Sequence, residues 1–267
     1  MSYQDYFKIP GVSSHALIDM QRSPFHCWAS YLDPNRVESE SSKAMRIGTL
    51  VHILVFEPDQ FNNEFIISKL GRRTKAGKAE YAALKESGKI VITDKEFEIG
   101  MQVAKSVRRS PPASSLLVTG EPEKTLIVER EPNLLQLKGR LDWFNPVAPS
   151  IVELKTAADA SYDAFMRSVY SYGYHLSASY YQMLAGKMLD ILPEYIGHAF
   201  IVVETKPPYA VAVYRSSPIL LSEGRALWVS ALRRFDECWL AKNWPSYEPC
   251  ELGSNLVKQY QTGNVDL

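Results

Sequence analysis

Cysteine is scarce. The chain has three in 267 residues, Cys27, Cys238 and Cys250, and none forms a CxxC pair. That speaks against a disulfide scaffold and against a thiolate zinc or iron–sulfur centre, and it fits a reducing compartment such as the cytoplasm. A charge bias is missing as well: Lys plus Arg number 30 and Asp plus Glu number 30, so the formal net charge is zero. A polycationic coat for nucleic acid is therefore not expected, and any nucleic-acid site must be a local basic patch beside acidic ones. No run approaches the roughly 20 apolar residues needed to span a bilayer, so no membrane association is expected. The opening MSYQDYFKIPGV carries no signal-peptide core. Nucleotide-binding loops of the form GxxxxGKS/T or GxGxxG are lacking, and so are GxSxG and HExxH. What remains, with 46% hydrophobic and 22% charged residues, is ordinary globular composition.

The pattern along the chain begins with helices. Residues 13–32 read as helical, interrupted near Pro24, with Ser13 or Ser14 as a cap. Over 43–57, Ala44, Ile47, Leu50, Val51, Leu54 and Val55 fall at helical spacing until Pro58 stops the run. A Lys-rich helix is expected over 75–87. Thr93 followed by Glu96 makes a capping box for a helix over about 94–109, which Pro111 and Pro112 end. Short β-type runs follow at 123–130, 134–143 and 150–156, then helices at 161–170 and 174–190, strands at 197–205 and 209–215, and a long helix over about 218–241. The expected fold class is α/β (α+β), a central mixed β-sheet flanked by helices. Residues 1–267 are expected to form a single domain, with a mostly helical portion to residue 110, a sheet-containing core over 111–241 and a tail over 242–267.

The chemically informative stretch is GRLDWFNPVAPSIVELKTA, residues 139–157. Asp142 closes one strand, a Pro- and Asn-containing turn follows, and Ile151 to Lys155 form the next strand. Side chains alternate along a strand, so Glu153 and Lys155 share a face, and a hairpin can bring Asp142 beside Glu153. Two hard carboxylates can hold Mg²⁺. Such an ion polarises a phosphoryl oxygen and lowers the pKa of a bound water. A neighbouring lysine can position that water and offset the charge developing on the phosphate. The matching reaction is metal-assisted hydrolysis of a phosphodiester. Glu-x-Lys on a strand also occurs as a weak surface ion pair. Flanking Ile151, Val152 and Leu154 indicate a strand with a buried face, however, and Gly139 fits a close approach of another element.

Other candidates have two readings each. His52, inside GTLVHILVFEP, is either a core histidine or an imidazole ligand beside the carboxylates. Glu121 and Glu123 are either an exposed strand start or acids that reach the site. The basic clusters Arg72-Arg73-Thr74-Lys75 with Lys78, Lys105 with Arg108-Arg109, and Arg233-Arg234 are either solvated faces or phosphate contacts. Tyr170, Tyr172, Tyr174, Tyr180 and Tyr181 either pack or stack on bases. Arg72, Arg73, Arg140 and Tyr181 are the candidate substrate contacts.

GRLDW and VELKTA together resemble the PD-(D/E)XK nuclease signature in the form used by RecB-like nucleases. More of the chain resembles the RecE-type exonucleases of phages and prophages, the exodeoxyribonuclease VIII family. YFKIPGVSSHALIDMQRSPFHCWASYLDP is similar to that family's opening, KAMRIGTLVHILVFEPDQF to its histidine helix, and GKAEYAALKESGKIVITDKEFE to its middle section. The resemblance implies a Mg²⁺-dependent exonuclease, with Mn²⁺ able to substitute, acting in recombination in a bacterial cytoplasm. It would degrade one strand of double-stranded DNA from the 5′ end and leave a 3′ tail for a single-strand annealing protein. It implies His52, Asp142 and Glu153 as metal ligands, the Leu154 carbonyl as an extra one, Glu123 as an acid near the metals, and Lys155 as the catalytic lysine. It also implies a homo-oligomeric ring, a tetramer, threaded by DNA. One departure stands out. RecB-like nucleases carry a Gln-x-x-x-Tyr motif after the Glu-x-Lys strand. Tyr181 matches its tyrosine, but Ser177 stands at the glutamine position and Gln182 is out of register. An endonuclease, a single-strand-specific nuclease and an inactive DNA-binding protein remain alternatives on the same fold.

Overall fold

Serine and threonine caps set the helix starts. In the computed structural model, which describes residues 6, 8–36, 41–70 and 74–247, helix α1 (Ser14–Arg22) begins where the Ser13 side chain accepts from the Ala16 amide. Helix α2 (Pro24–Tyr31) begins the same way, with Ser23 accepting from His26 and Pro24 at the first helical position. The expected interruption near Pro24 is thus a cap followed by the residue that costs least at a helix start. Helix α3 (Lys43–Phe56) is capped by Ser42 and stops before Pro58. The short α4 (Phe61–Glu64) leads into β1 (Phe65–Ser68), and α5 (Lys75–Lys85) leads into β2 (Ile90–Thr93). These two four-residue strands pair in parallel as a small sheet that the sequence pattern did not announce. Helix α6 (Asp94–Arg109) opens on the full Thr93/Glu96 capping box. Pro111 does more than end it. Ser110 turns extended and Pro111 takes the first position of a further helix, α7 (Pro111–Leu116).

The main sheet has five strands in the order β3-β4-β5-β6-β7. They are β3 (Glu121–Val128), β4 (Leu137–Asn145), β5 (Ser150–Ala157), β6 (Gly197–Glu204) and β7 (Val211–Arg215). Strands β5 and β6 pair in parallel and the other neighbours are antiparallel. A parallel pair needs a crossover, which α8 (Tyr162–Ser171) and α9 (Tyr174–Leu189) supply. Helix α10 (Pro218–Ala241) closes the element order. The mixed sheet flanked by helices is therefore as expected.

Both faces of the sheet are covered. On one, Val152, Leu154, Ile201 and Val203 pack against Ile47 and Val51 of α3 and Val103 and Val107 of α6. On the other, Phe200 and Val202 meet Phe165 and Val169 of α8, while Leu141, Phe144 and Ile151 join Leu17 of α1, Leu184 of α9 and Phe235 of α10. Two glycines allow the close approaches. At Gly139 a Cβ would lie 2.6 Å from Leu184 Cδ1 and 3.1 Å from the Tyr181 ring, so α9 presses directly on β4. At Gly224 a Cβ would lie 2.0 Å from the His175 carbonyl oxygen, which shows how tightly α10 lies on α9. Among the described residues, no helix is long and apolar enough to cross a membrane.

Candidate metal and catalytic site

The site forms where the sheet opens. Strands β4 and β5 pair through Asn145↔Ser150, Phe144↔Ile151 and Trp143↔Val152, and the ladder stops there. The next residues on each side are Asp142 and Glu153. In place of a ladder bond, Asp142 Oδ2 accepts from the Leu154 amide at 2.8 Å. On the other side of β4 the ladder is interrupted at the same level. Pro122 pairs with Trp143 and Lys124 with Leu141, and Glu123 between them drops out of the pairing with a left-handed φ of 49°. A non-glycine residue in that region is uncommon and costs energy, so its presence here marks a site held by its surroundings.

Helix α3 brings His52 to the two acids. Its Nδ1 lies 3.8 Å from Glu123 Oε1 and 3.6 Å from Asp142 Oδ1. Its Nε2 lies 2.9 Å from the Leu154 carbonyl oxygen. A carbonyl only accepts, so Nε2 carries a hydrogen, and Nδ1 faces Glu123 and Asp142. Candidate ligand atoms of His52, Glu123 and Asp142 all lie within 4.8 Å of one another. Arg140 steadies the cluster by donating to Glu123 Oε2 at 2.7 Å, with Glu57 3.9 Å away. Beside it, Lys155 Nζ binds Glu153 Oε2 at 2.7 Å and sits 5.2 Å over the Tyr174 ring. The other carboxylate oxygen, Glu153 Oε1, is buried with no hydrogen-bond partner among the described residues.

Burial and charge oppose each other throughout the cluster. Burial raises the Asp142 pKa to about 6, and the attraction of His52 and Lys155 offsets only part of it. Burial also pushes Glu153 and Glu123 up. For Glu153 the Lys155 ammonium outweighs it, and for Glu123 His52 and Arg140 do, so both stay below the ordinary carboxylate value. Burial disfavours charge on His52 and Lys155, but Asp142 and Glu123 hold His52 above its usual value, and Glu153 and Asp142 do the same for Lys155. The fork is thus short of positive charge. Two hard carboxylates and an imidazole, with an orphaned carboxylate oxygen nearby, suit a divalent cation that takes oxygen and nitrogen ligands.

The expected site residues fall into groups. His52, Glu123 and Asp142 form the donor cluster. Glu153 and Lys155 line the same cleft of about 1550 Å³ but are tied to each other. Leu154 is held through both backbone groups, its amide by Asp142 and its carbonyl by His52. Tyr181 lines the cleft and its hydroxyl accepts from Ser14 Oγ at 3.1 Å. Ser177 is buried, and Gln182 donates to the Ile196 carbonyl, so Gln182 does not replace the missing glutamine. Arg140 lines the cleft but is turned toward Glu123. Arg72 and Arg73 lie outside the described residues. Of the other basic groups, Lys75, Lys78, Lys105, Arg108, Arg109, Arg233 and Arg234 do not line the cleft, and Arg108 donates to the Leu54 carbonyl. Tyr180 is core, with its hydroxyl on the Val12 carbonyl. The sequence reading passed over His15, Glu57 and Lys138, which also line the cleft. Only position could have singled out His15, one residue after Ser14 at the start of α1.

A five-stranded mixed sheet whose middle strands open over an acid–lysine pair, with helices on both faces, defines the PDDEXK-like nuclease fold. The sequence matches the model of the family described as "PDDEXK-like domain of unknown function (DUF3799)" over residues 13–255, and the chain belongs to that family. Among solved structures it is similar to a candidate exonuclease from Eubacterium rectale, with 13% identity, a TM-score of 0.67 and 99% of each chain covered. At that identity the likeness shows the fold. A phage-related exonuclease from Haemophilus somnus 129PT also matches, with 12% identity over 87% of this chain and 96% of that one and a TM-score of 0.37. None of the curated proteins matches.

Proposed function

We propose that the protein is a divalent-metal-dependent nuclease that hydrolyses phosphodiester bonds in DNA. The observation that carries this reading is the meeting of His52, Glu123 and Asp142 beside the Glu153–Lys155 pair where β4 and β5 part. His52, Glu123 and Asp142 would hold the ion, with Glu153 Oε1 the open acceptor next to them. Bound there, Mg²⁺ or Mn²⁺ would polarise a phosphoryl oxygen and offset its charge. Lys155 keeps its proton, because Glu153 and Asp142 raise its pKa. It therefore acts as a fixed positive charge and hydrogen-bond donor, orienting the attacking water and stabilising charge on the phosphate. Glu153 aims that ammonium, and Arg140 aims Glu123.

The finer reading is a 5′→3′ exonuclease on ends of double-stranded DNA, leaving 3′ single-stranded tails for recombination with a single-strand annealing partner. It rests on the resemblance to RecE-type exonucleases; the name given to the Eubacterium rectale protein supports the exonuclease part alone. A homo-oligomeric ring follows from the same resemblance and would keep a protein without net positive charge on its DNA.

The test is digestion of a blunt linear duplex labelled at the 5′ or the 3′ end, in Mg²⁺ and in EDTA, beside a covalently closed circle. Mg²⁺-dependent early release of the 5′ label with the circle intact is the expected result. Early release of the 3′ label would reverse the polarity, cutting of the circle would make the enzyme an endonuclease, and no cleavage in Mg²⁺ or Mn²⁺ would sink the nuclease reading.

A further inference from the structure

His15 has no part in the site as described above. It lies in the first turn of α1, between Ser14 and Ala16, both buried. His15 itself is exposed, and it is exposed into the cleft that Glu153, Lys155 and Tyr181 also line. The two neighbours serve the fold: Ser14 donates to the Tyr181 hydroxyl, and Ala16 packs in the core. Among the described residues, none hydrogen-bonds the His15 ring. A polar ring that faces a recess and has no hydrogen-bond partner among the described residues is placed to bind what enters.

Its position relative to the fork is specific. Helix α3, which carries His52, covers one face of the sheet. Helix α1 packs with α9 and α10 on the other. Lys155 also leans that way, over Tyr174 of α9. His15 therefore stands on the Lys155 side of the fork, close enough to feel the charges of both Glu153 and Lys155. A phosphodiester has two non-bridging oxygens. With one toward the carboxylate and histidine donors, the other faces the side on which Lys155 and His15 stand. Desolvation within the recess and the Lys155 charge draw the imidazole pKa below its ordinary value, and in either protonation state the ring keeps an N–H to donate.

We propose that His15 is a further catalytic residue, hydrogen-bonding a non-bridging oxygen of the phosphate under attack from the Lys155 side of the fork. This rests on the nuclease reading and adds a substrate contact to it.

The test uses full-length protein and duplex DNA with a single phosphorothioate, in either the Rp or the Sp configuration, at the first linkage cleaved. Wild type, His15→Ala and His15→Gln are compared in Mg²⁺, with thermal melting as the folding control. On unmodified DNA, His15→Ala should lose about 10- to 100-fold in kcat, the range for one hydrogen bond to a charged group. KM should stay within about twofold. His15→Gln keeps an N–H donor and should recover most of the rate. The decisive readout is the sulfur effect. One diastereomer should slow the wild type, and that penalty should collapse toward unity in His15→Ala, because the contact sulfur disturbs is already gone. Wild-type rates for His15→Ala would overturn the contact, and so would a slower variant with both sulfur effects unchanged, which would make the role structural. A wild type that cleaves no DNA would instead sink the nuclease reading, and the contact with it.

Discussion

Asp142→Asn should give a protein that is inactive and yet more stable than the wild type. The Asp142 side chain is 15% exposed, and burial raises its pKa from 3.8 to about 6. A carboxyl whose folded pKa lies above its unfolded value favours the fold in its protonated form. Its contribution is full below about pH 4, declines as the pH rises toward 6, and stays lost above that. A shift of about two units corresponds to roughly 3 kcal/mol at 1.36 kcal/mol per unit. Part of this belongs jointly to Glu153 and Glu123, whose charges also push Asp142 up, so about 2 kcal/mol is the reasonable share of the acid. Asparagine removes the charge and keeps an oxygen for the Leu154 amide, which Asp142 now accepts at 2.8 Å. At about 2–4 °C per kcal/mol for a chain of this size, the variant should melt about 4–8 °C higher at pH 7.5 in EDTA. Near pH 4 the difference should nearly vanish, and Mn²⁺ should raise the melting temperature of the wild type more than that of the variant. Scanning calorimetry at the two pH values measures all of this. A variant that melts at or below the wild type at pH 7.5 would refute the reasoning, because it would mean that His52 and Lys155 already satisfy the ionised acid.

Two further predictions follow from single contacts. Lys155→Gln keeps a donor for Glu153 Oε2 but removes the charge, and should cut cleavage about 10²–10³-fold. Binding of duplex DNA in Ca²⁺, read by fluorescence anisotropy, should change little, and unchanged cleavage would remove the proposed site. Gly224→Ala pits a helix-propensity gain of about 1 kcal/mol against a Cβ placed 2.0 Å from the His175 carbonyl. The clash should win by about 1–3 kcal/mol in urea unfolding, and a stabilised variant would show that α9 and α10 can move apart freely.

Where the sequence carries its own start and stop signals, it was easy to read. Ser217 with Pro218 fixes the start of α10, and the observed span, Pro218–Ala241, is the expected one. The Thr93/Glu96 box fixes α6 in the same way. The strands β1 and β2 were missed because FIIS and IVIT are four-residue apolar runs without alternation, and their parallel pairing joins segments 25 residues apart in sequence. Pro111 read as a stop because proline excludes a helix interior, but the same fixed φ suits the first turn of the next helix. In the site, Asp142, Glu153 and Lys155 lie within 14 residues on one hairpin, so local pattern was enough to group them. His52 needs a contact across 102 residues to the Leu154 carbonyl, which no local pattern encodes, so residue chemistry left it as either a core histidine or a ligand and the resemblance made it a ligand. Glu123 read from spacing first as an exposed strand start. Its side chain turns inward because its own backbone leaves the ladder with a positive φ, a property of the register between β3 and β4.

The break in the sheet and the chemistry of the site have one cause. A regular ladder would give the Leu154 amide a carbonyl of β4 and leave the Asp142 carboxylate in solvent. Here the carboxylate takes that amide, the strands part, and the space between them admits His52 and exposes Lys155. The result is a fork holding the carboxylates of Glu123, Asp142 and Glu153 against the fixed positive charges of Arg140 and Lys155, with Glu57 close to Arg140. His52 is drawn toward protonation by that imbalance. A DNA phosphate would meet net negative charge at the fork, and the protein as a whole has no net positive charge to offset it. A divalent cation between His52, Glu123 and Asp142 would correct the imbalance and give the phosphate a positive partner. On this argument the cost of burying Asp142 is what makes the fork ready for an ion, and affinity for the ion and access of the DNA backbone are two consequences of the same electrostatic shortfall.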